Sequence, residues 1–166
     1  MIDRWLDTSA YSFSGQEYME LLNSIRKSLD DMERYYPDYD GRPVELAGLI
    51  WFQGIADASA PRTAAEYATH LPNFINDLRR DLNAPTLPVV VTAIGWDSRH
   101  AATVRDAQLA ISEAVPHVAT IDTRPFVRPA EVSPGGRADM YRHNAETFLD
   151  IGKAMGRQLL ELLQAE

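Results

Sequence analysis

The chain has 166 residues, which is the usual size of one domain and enough to bury a hydrophobic core. With 16 lysines and arginines against 24 aspartates and glutamates, its formal net charge is -8, so it lacks the basic surface that binds nucleic acid or an anionic membrane. It contains no cysteine, which excludes disulfides, iron–sulfur clusters, thiolate zinc sites and a cysteine nucleophile.

Targeting and membrane segments are not indicated by the hydropathy of the sequence. The longest apolar stretches, 44–52 and 87–94, are far shorter than the ~20 residues that a membrane helix needs. Residues 1–12 carry three charged side chains and lack the apolar core of a secretory signal peptide. We therefore expect no membrane partner, and the sequence leaves the compartment open.

In the first part of the chain, helical and strand periodicities follow one another. A capping box formed by Ser14 and Glu17 precedes apolar residues spaced three and four apart, which predict an amphipathic helix of about five turns. Prolines, aspartates and Gly41 then predict a loop over 37–43. Residues 44–52 are apolar almost throughout and predict a buried strand.

The middle of the chain predicts a second helix and a second strand. Thr63 and Glu66 form another capping box ahead of an apolar stripe, and Pro72 within that stripe predicts a late start or a kink. Residues 87–94 include three successive valines and form the clearest strand pattern, which Gly95 closes.

The last part of the chain repeats the alternation. Asp97 or Ser98 is placed to cap a third helix, and residues 118–121 predict a short strand. The proline-rich stretch 124–137 predicts a loop, after which Asn144 is placed to cap the final helix. The apolar residues of that helix share one face: Phe148, Ile151, Met155, Leu159 and Leu162.

Apolar strands that alternate with helices predict a parallel sheet covered by helices on both sides, which is a three-layer α/β/α architecture. We expect one such α/β domain over residues 1–166. The three predicted strands are fewer than the roughly five or six of a typical sheet, so sheet edges are left exposed. Either residues 1–13 add a strand, or N-terminal strands are missing, or a partner such as a second copy covers an edge.

Ligands of open α/β sheets bind beyond the carboxyl ends of the strands, so the residues after each strand are candidates for a site. After the first strand, Gln53 offers an amide donor and Asp57 a carboxylate, while Gly54 lets the backbone turn sharply and approach a ligand. The structural alternative is that Gly54 only makes the turn and that Asp57 binds loop backbone.

Among the four histidines, His143 has the position that best fits a functional role, because it follows a long polar loop and directly precedes the Asn144 cap. Asp139 lies four residues earlier, and a carboxylate bound to one ring nitrogen leaves the other nitrogen as a base. The alternative is a surface or capping histidine. The sequence contains no metal-ligand cluster and no glycine-rich phosphate loop, so no metal site is predicted.

The segment 45–57 reads Glu-Leu-Ala-Gly-Leu-Ile-Trp-Phe-Gln-Gly-Ile-Ala-Asp. It resembles the Trp-x-Gln-Gly-Glu-x-Asp/Asn block of the SGNH hydrolases, in the branch of sialate O-acetylesterases and carbohydrate (acetyl-xylan) esterases. Stretches 77–91, 104–108 and 143–152 are similar to the same branch. The resemblance extends over residues 15–163 and corresponds to the later part of the family's domain.

This resemblance implies a flavodoxin-like sheet with a Ser-His-Asp-type ester hydrolase site that needs no metal or organic cofactor. In such a site a serine attacks the ester carbonyl, a histidine takes the serine proton, and backbone and amide donors hold the oxyanion. His143 and Asp139 would then be catalytic, and oxyanion and substrate binding would fall to Gln53, Gly54 and Asp57. The implied partner is an acetylated carbohydrate or another small ester.

The chain departs from the family pattern in three places. The Gly-Asp-Ser or Gly-Gln-Ser block that carries the nucleophile is not found, and in the nearest stretch Glu17 stands at the serine position. Ile55 replaces the glutamate of the block, and Asp139 precedes His143 by four residues instead of three. Because loss of the nucleophile costs a serine hydrolase about 10⁶-fold in turnover, we expect this chain to be nearly inert on its own.

Two interpretations stay open, of which we favour the first. The chain is an incomplete esterase domain whose nucleophile lies upstream or in another chain, or it is a non-catalytic carbohydrate-binding or structural descendant of the same fold. Ser59 and Ser98 follow adjacent strands and are the hydroxyls to compare first with His143, although both positions are typical of helix caps or loops. Members of the family are often secreted or periplasmic.

Overall fold

The computed structural model describes residues 15–134 and 140–165. Within these ranges, three parallel strands form one sheet in the order β1–β2–β3, with β1 at Leu49–Trp51, β2 at Val89–Ala93 and β3 at Val118–Asp122. The helices are α1 (Gln16–Asp30), α2 (Met32–Tyr35), α3 (Pro61–Asp81), α4 (Ala101–Ala114) and α5 (Ala145–Gln164). Short 3₁₀ turns lie at Asp57–Ser59, Arg124–Phe126 and Ala130–Val132.

The valines of β2 show how the sheet separates two cores, because successive side chains of a strand point to opposite faces. Val89 and Val91 pack into a cluster formed with α1, α3 and α4. Val90 packs on the other face, with Ile151 and Met155 of α5. The predicted three-layer α/β/α architecture with a parallel, flavodoxin-like sheet is therefore confirmed.

The strand predicted over 44–52 is shorter in the structure, because β1 begins only at Leu49. The Leu49 amide donates to the carbonyl oxygen of Pro88, and the ladder continues to the Trp51–Val91 pair. Pro88 itself has no amide to donate, so it ends the ladder of β1 and β2 on this side. The strand predicted over 87–94 likewise starts only after Pro88, at Val89.

The capping box predicted at Thr63 and Glu66 is wrong. Helix α3 begins earlier, at Pro61, where the missing amide of proline costs no hydrogen bond. The Thr63 hydroxyl donates instead to the carbonyl oxygens of Asp57 and Ala60, at 2.7 and 3.2 Å. Of the two outcomes predicted for Pro72, a late start or a kink, the late start does not occur, since α3 begins at Pro61 and includes Pro72.

Of the other predicted caps, one is confirmed and one is wrong. The carboxamide oxygen of Asn144 accepts the Thr147 amide at 3.1 Å, as expected for the cap of α5. Helix α4 follows His100 with no side-chain cap, and the Asp97 carboxylate binds Arg105 instead. Ser14 lies outside the described residues, as does the strand considered for residues 1–13.

No helix in the described ranges is both long and apolar enough to cross a membrane.

A hydrogen bond joins α1 to the end of α3. The Tyr18 hydroxyl donates to the Asp81 carboxylate at 2.7 Å, and Arg26 donates to the Asp81 carbonyl oxygen at 3.1 Å. The hydrogen bonds that Asp81 accepts from Tyr18 and Arg80 hold the pKa of its carboxyl group below the usual value. The charged form of Asp81 therefore stabilises the folded chain.

We expect the variant Tyr18→Phe to lower the free energy of unfolding at pH 7 by about 1 kcal/mol, the net value of one hydrogen bond. Because folding lowers the pKa of Asp81, the stabilisation is present above the unfolded pKa of about 3.9 and is lost as the pH falls through the folded value. Urea denaturation measures the free energy of unfolding at pH 7 and at pH 3. The difference between the two values should be smaller for Tyr18→Phe than for the wild type. Tyr35→Phe, at an exposed tyrosine, is the control and should keep the wild-type difference. A wild-type difference for Tyr18→Phe as well would contradict a stabilising hydrogen bond between Tyr18 and Asp81.

Candidate functional site

A pocket of about 300 Å³ lies at the carboxyl edge of the sheet, where ligands of open α/β folds bind. Residues 53–56, which follow β1, form one part of its wall. Four aromatic residues form most of the remainder: Phe52, Trp96, Tyr141 and Phe148. Gln53 and Gly54, two of the residues predicted from the sequence, therefore line a cavity at the expected edge.

The side-chain amide of Gln53 is held at both ends. Its oxygen accepts a hydrogen bond from the Tyr67 hydroxyl at 3.0 Å, and its nitrogen donates to the carboxylate of Asp57, which is 1% exposed. These contacts define which end of the amide carries the donors. A primary amide has two N–H protons, and within the described ranges Asp57 accepts one of them, so the second can serve a ligand.

Behind Gln53, a buried polar network connects the ends of two strands with two helices. Gln108 of α4 is fully buried, and its side-chain nitrogen donates to the Gln53 carbonyl oxygen at 2.7 Å and to the Tyr67 hydroxyl at 3.1 Å. Its side-chain oxygen accepts the Ile94 amide at 2.9 Å. Burial raises the pKa of Tyr67 far above its ordinary value, so the Tyr67 hydroxyl stays protonated and remains a donor to Gln53.

Tyr67 and Gln108 were not predicted as part of the site. Tyr67 lies within the apolar stripe of α3 and has the pattern of a core residue. Gln108 carried a usable signal, because it lies between Val104 and Ile111 on the buried face of α4. A glutamine on such a face needs partners, since burying an amide without hydrogen bonds is costly.

Gly54 is required both by its backbone and by the space around it. Its φ is +135°, a conformation that residues with a Cβ rarely adopt. A Cβ would also lie 2.8 Å from the Gln108 side-chain nitrogen and 3.1 Å from Val104. This close packing agrees with the alternative that Gly54 serves to make the turn. It also brings the backbone directly to the pocket wall.

The segment Tyr141–Arg142–His143 has an unusual backbone, with φ of 54°, 56° and 53° at three successive non-glycine residues. Tyr141 anchors it: the side chain is 1% exposed, and its hydroxyl accepts the Gly95 amide at 3.0 Å and hydrogen-bonds to Thr123. Burial raises the pKa of the Tyr141 hydroxyl. Through this anchor, the start of the segment that carries His143 lies at the same sheet edge as Gln53.

The proposed partner of His143 in the sequence, Asp139, lies outside the described residues, so their pairing stays a prediction. Asp57 is placed beneath Gln53 and does not line the pocket. No group of three or more His, Asp or Glu side chains suited to a metal ion occurs within the part of the chain that the structure describes.

Three serines lie in the described loops at the carboxyl edge of the sheet, and we call them the rim serines. Each donates to a backbone carbonyl oxygen. Ser59 donates to Ala56, Ser98 donates to Ala58 at 3.4 Å, and Ser133 donates to Pro129 at 2.8 Å. Ser133 also accepts the side-chain amide of Asn144 at 3.3 Å, one residue beyond His143. These contacts are those of loop and turn serines.

The parallel sheet, covered by helices on both faces, makes the chain an open α/β protein, a class in which ligands bind at the carboxyl edge of the sheet. A family model described as carbohydrate esterase, sialic acid-specific acetylesterase, matches residues 1–161. The chain therefore belongs to this family of carbohydrate esterases.

Two comparisons concern an Arabidopsis thaliana protein. The protein named probable carbohydrate esterase At4g34215 is 34% identical over 67 residues, which are 40% of this chain and 26% of that protein. The X-ray structure of AT4G34215 superposes with a TM-score of 0.68 at 22% identity, over 96% of this chain and 56% of that one. The likeness shows a shared fold, and this chain spans little more than half the length of the solved relative.

Proposed function

We propose that this chain is a carbohydrate ester hydrolase domain of the acetylesterase type, which acts on an acetylated carbohydrate or a similar small ester. The observation that carries the proposal is the pocket beside the fixed Gln53 amide, at the carboxyl edge of a carbohydrate esterase fold. In the proposed site, His143 is the general base and Asp139 orients it. Gln53 and Gly54 supply oxyanion donors, and Asp57 holds the Gln53 amide in place.

The proposed reaction combines proton transfer at His143 with stabilisation of the negative charge on the ester carbonyl oxygen. As a nucleophile attacks the ester carbonyl, His143 accepts its proton, and the negative charge that develops on the carbonyl oxygen is stabilised by the Gln53 amide and the Gly54 N–H. His143 then returns the proton to the alcohol of the sugar as it leaves. Because Tyr67 and Asp57 already orient the amide of Gln53, its donors need no rearrangement during the reaction.

We further propose that the serine nucleophile is not one of the described rim serines, since each donates its proton to a backbone carbonyl. The described residues would then form the base and substrate-binding part of the site. With water as the nucleophile, the chain should show only slow, histidine-dependent hydrolysis.

The test is hydrolysis of p-nitrophenyl acetate by the chain and two matched variants, His143→Asn and His117→Asn. Both histidines have left-handed backbones, with φ of 53° and 56°, and asparagine tolerates that conformation. His117 precedes β3 and lies at the opposite end of the sheet. A positioned general base contributes about 10²–10⁴-fold, so we expect His143→Asn to lower the rate at least about tenfold and His117→Asn to leave it unchanged.

Equal rates for the wild type and His143→Asn would remove His143 from the reaction. Acetate release from an acetylated sugar, measured beside p-nitrophenyl acetate, tests the carbohydrate part of the proposal. Release that does not exceed the rate in buffer would contradict hydrolysis of sugar esters by this chain alone.

The second candidate function is carbohydrate binding without catalysis. It is favoured by the same serine contacts, because no described rim serine hydrogen-bonds to a histidine. This function predicts that an acetylated sugar shifts the NMR signals of Gly54 and the Trp96 indole while no acetate is released. Binding together with His143-dependent release would decide for the hydrolase.

A further inference from the structure

Half of the residues that line the pocket are aromatic, and their rings meet at steep angles. Tyr141 is at their centre, with its ring 5.0 Å from Trp96 at 83°, 5.6 Å from Phe148 at 71° and 5.8 Å from Phe52 at 61°. Aromatic rings prefer such edge-to-face contacts, and a further ring entering the cluster can make them too. The wall therefore favours a flat apolar group.

The polar atoms of the pocket residues are largely engaged with the protein. The Tyr141 hydroxyl binds Gly95 and Thr123, and the oxygen of the Gln53 amide binds Tyr67. Two donors of the described wall remain for a ligand, the second proton of the Gln53 amide and the Gly54 N–H. A substrate group rich in hydroxyls would find few side-chain partners here, and leaving them without hydrogen bonds would weaken binding.

Ile55 strengthens this conclusion. It lines the pocket directly after Gly54 and presents a hydrocarbon side chain there. A carboxylate would accept hydrogen bonds from sugar hydroxyls, whereas isoleucine offers only apolar contact. This part of the wall is therefore apolar.

The size of the pocket points to the kind of group it holds. An acetyl group occupies roughly two waters' share of liquid volume, about 60 Å³. The pocket has about 300 Å³, several times that volume. Of the two substrates in the proposed function, an acetylated carbohydrate and another small ester, we propose that this pocket fits the second: it receives an aromatic acyl group, with a benzoyl-sized ring against Phe148, Trp96 and Ile55.

The proposed function supplies the ester bond in this inference, and the preference for an aromatic group is tested without turnover. Benzamide and acetamide are amide analogues of the two acyl groups that a weak esterase leaves intact. Each is titrated into the full chain while NMR follows the amides of Gly54 and Ile55 and the Trp96 indole. We expect benzamide to bind at least about tenfold more tightly than acetamide, because each added buried carbon strengthens binding several-fold.

Two matched pairs of variants locate the binding. Phe148→Ala should weaken benzamide binding at least about fivefold, whereas Leu149→Ala, an exposed neighbour on the same helix outside the pocket wall, should not change it. Ile55→Glu should weaken it as well, since a carboxylate replaces an apolar contact. Ile50→Glu, at an exposed position of β1 outside the wall, is its control.

Equal affinities for the two amides, or benzamide binding that survives both Phe148→Ala and Ile55→Glu, would overturn the inference. Its failure is distinct from failure of the proposed function. Hydrolysis that depends on His143 with no preference for benzamide refutes the acyl preference alone. Tight benzamide binding with equal hydrolysis by the wild type and His143→Asn supports the pocket assignment and refutes the hydrolase.

Discussion

Replacement of Gln108 by leucine is expected to lower the free energy of unfolding by about 3–5 kcal/mol, because buried groups lose their hydrogen bonds at about 1–3 kcal/mol each. The Ile94 amide loses its acceptor, and the Gln53 carbonyl oxygen and Tyr67 hydroxyl lose a donor. Leucine preserves most of the buried volume, so the loss reports the polar network rather than a cavity. Urea denaturation followed by circular dichroism measures it.

The control for this variant is Gln16→Leu, at an exposed position at the start of α1. It should change the free energy of unfolding by no more than about 0.5 kcal/mol. A similarly small change for Gln108→Leu would show that the network contributes little to the fold.

The variant Arg79→Met is expected to destabilise the chain by about 3–5 kcal/mol, since it leaves carbonyl oxygens without their charged donor. Arg79 is 5% exposed, and its guanidinium donates to the carbonyl oxygens of Leu87 at 2.8 Å, Pro116 at 2.9 Å and His117 at 3.2 Å. These carbonyls lie just before β2 and β3, so one side chain joins the amino ends of both strands. Burial lowers the pKa of Arg79 from its very high ordinary value.

The neighbouring arginine provides a matched control for Arg79→Met. Arg80 forms exposed ion pairs with Asp77 and Asp81, and exposed pairs contribute at most about 1 kcal/mol. Urea denaturation should therefore show a much smaller loss for Arg80→Met than for Arg79→Met. Comparable losses in the two variants would mean that the three carbonyl contacts of Arg79 have little energetic weight.

The order of helices and strands was predictable because each element has its own apolar period, and β2 shows this most clearly with its run of valines. The element ends were less predictable. Thr63 lies in the sequence pattern of a helix cap, yet α3 starts earlier, at Pro61. The apolar residues before β1 would extend that strand, but Pro88 on the neighbouring strand ends the ladder at Leu49. These outcomes depend on neighbours in space as well as in sequence.

In the candidate site, Gln53 and Gly54 were predictable because they follow a strand directly. Their supports were not, since Tyr67 and Gln108 lie 14 and 55 residues away along the chain and meet Gln53 only through packing. Phe148 fits the apolar face of the last helix by its spacing, but it is 38% exposed and lines the pocket. No glycine or asparagine within the segment 141–143 announces its left-handed backbone.

That left-handed backbone couples two parts of the molecule. Each such residue costs roughly 1–2 kcal/mol, and the buried Tyr141 ring with its two hydroxyl partners offsets part of the cost. The same ring forms part of the pocket wall, two positions from His143. Because one side chain both closes the pocket and holds the segment, a guest that touches the Tyr141 ring also touches the support of the proposed base.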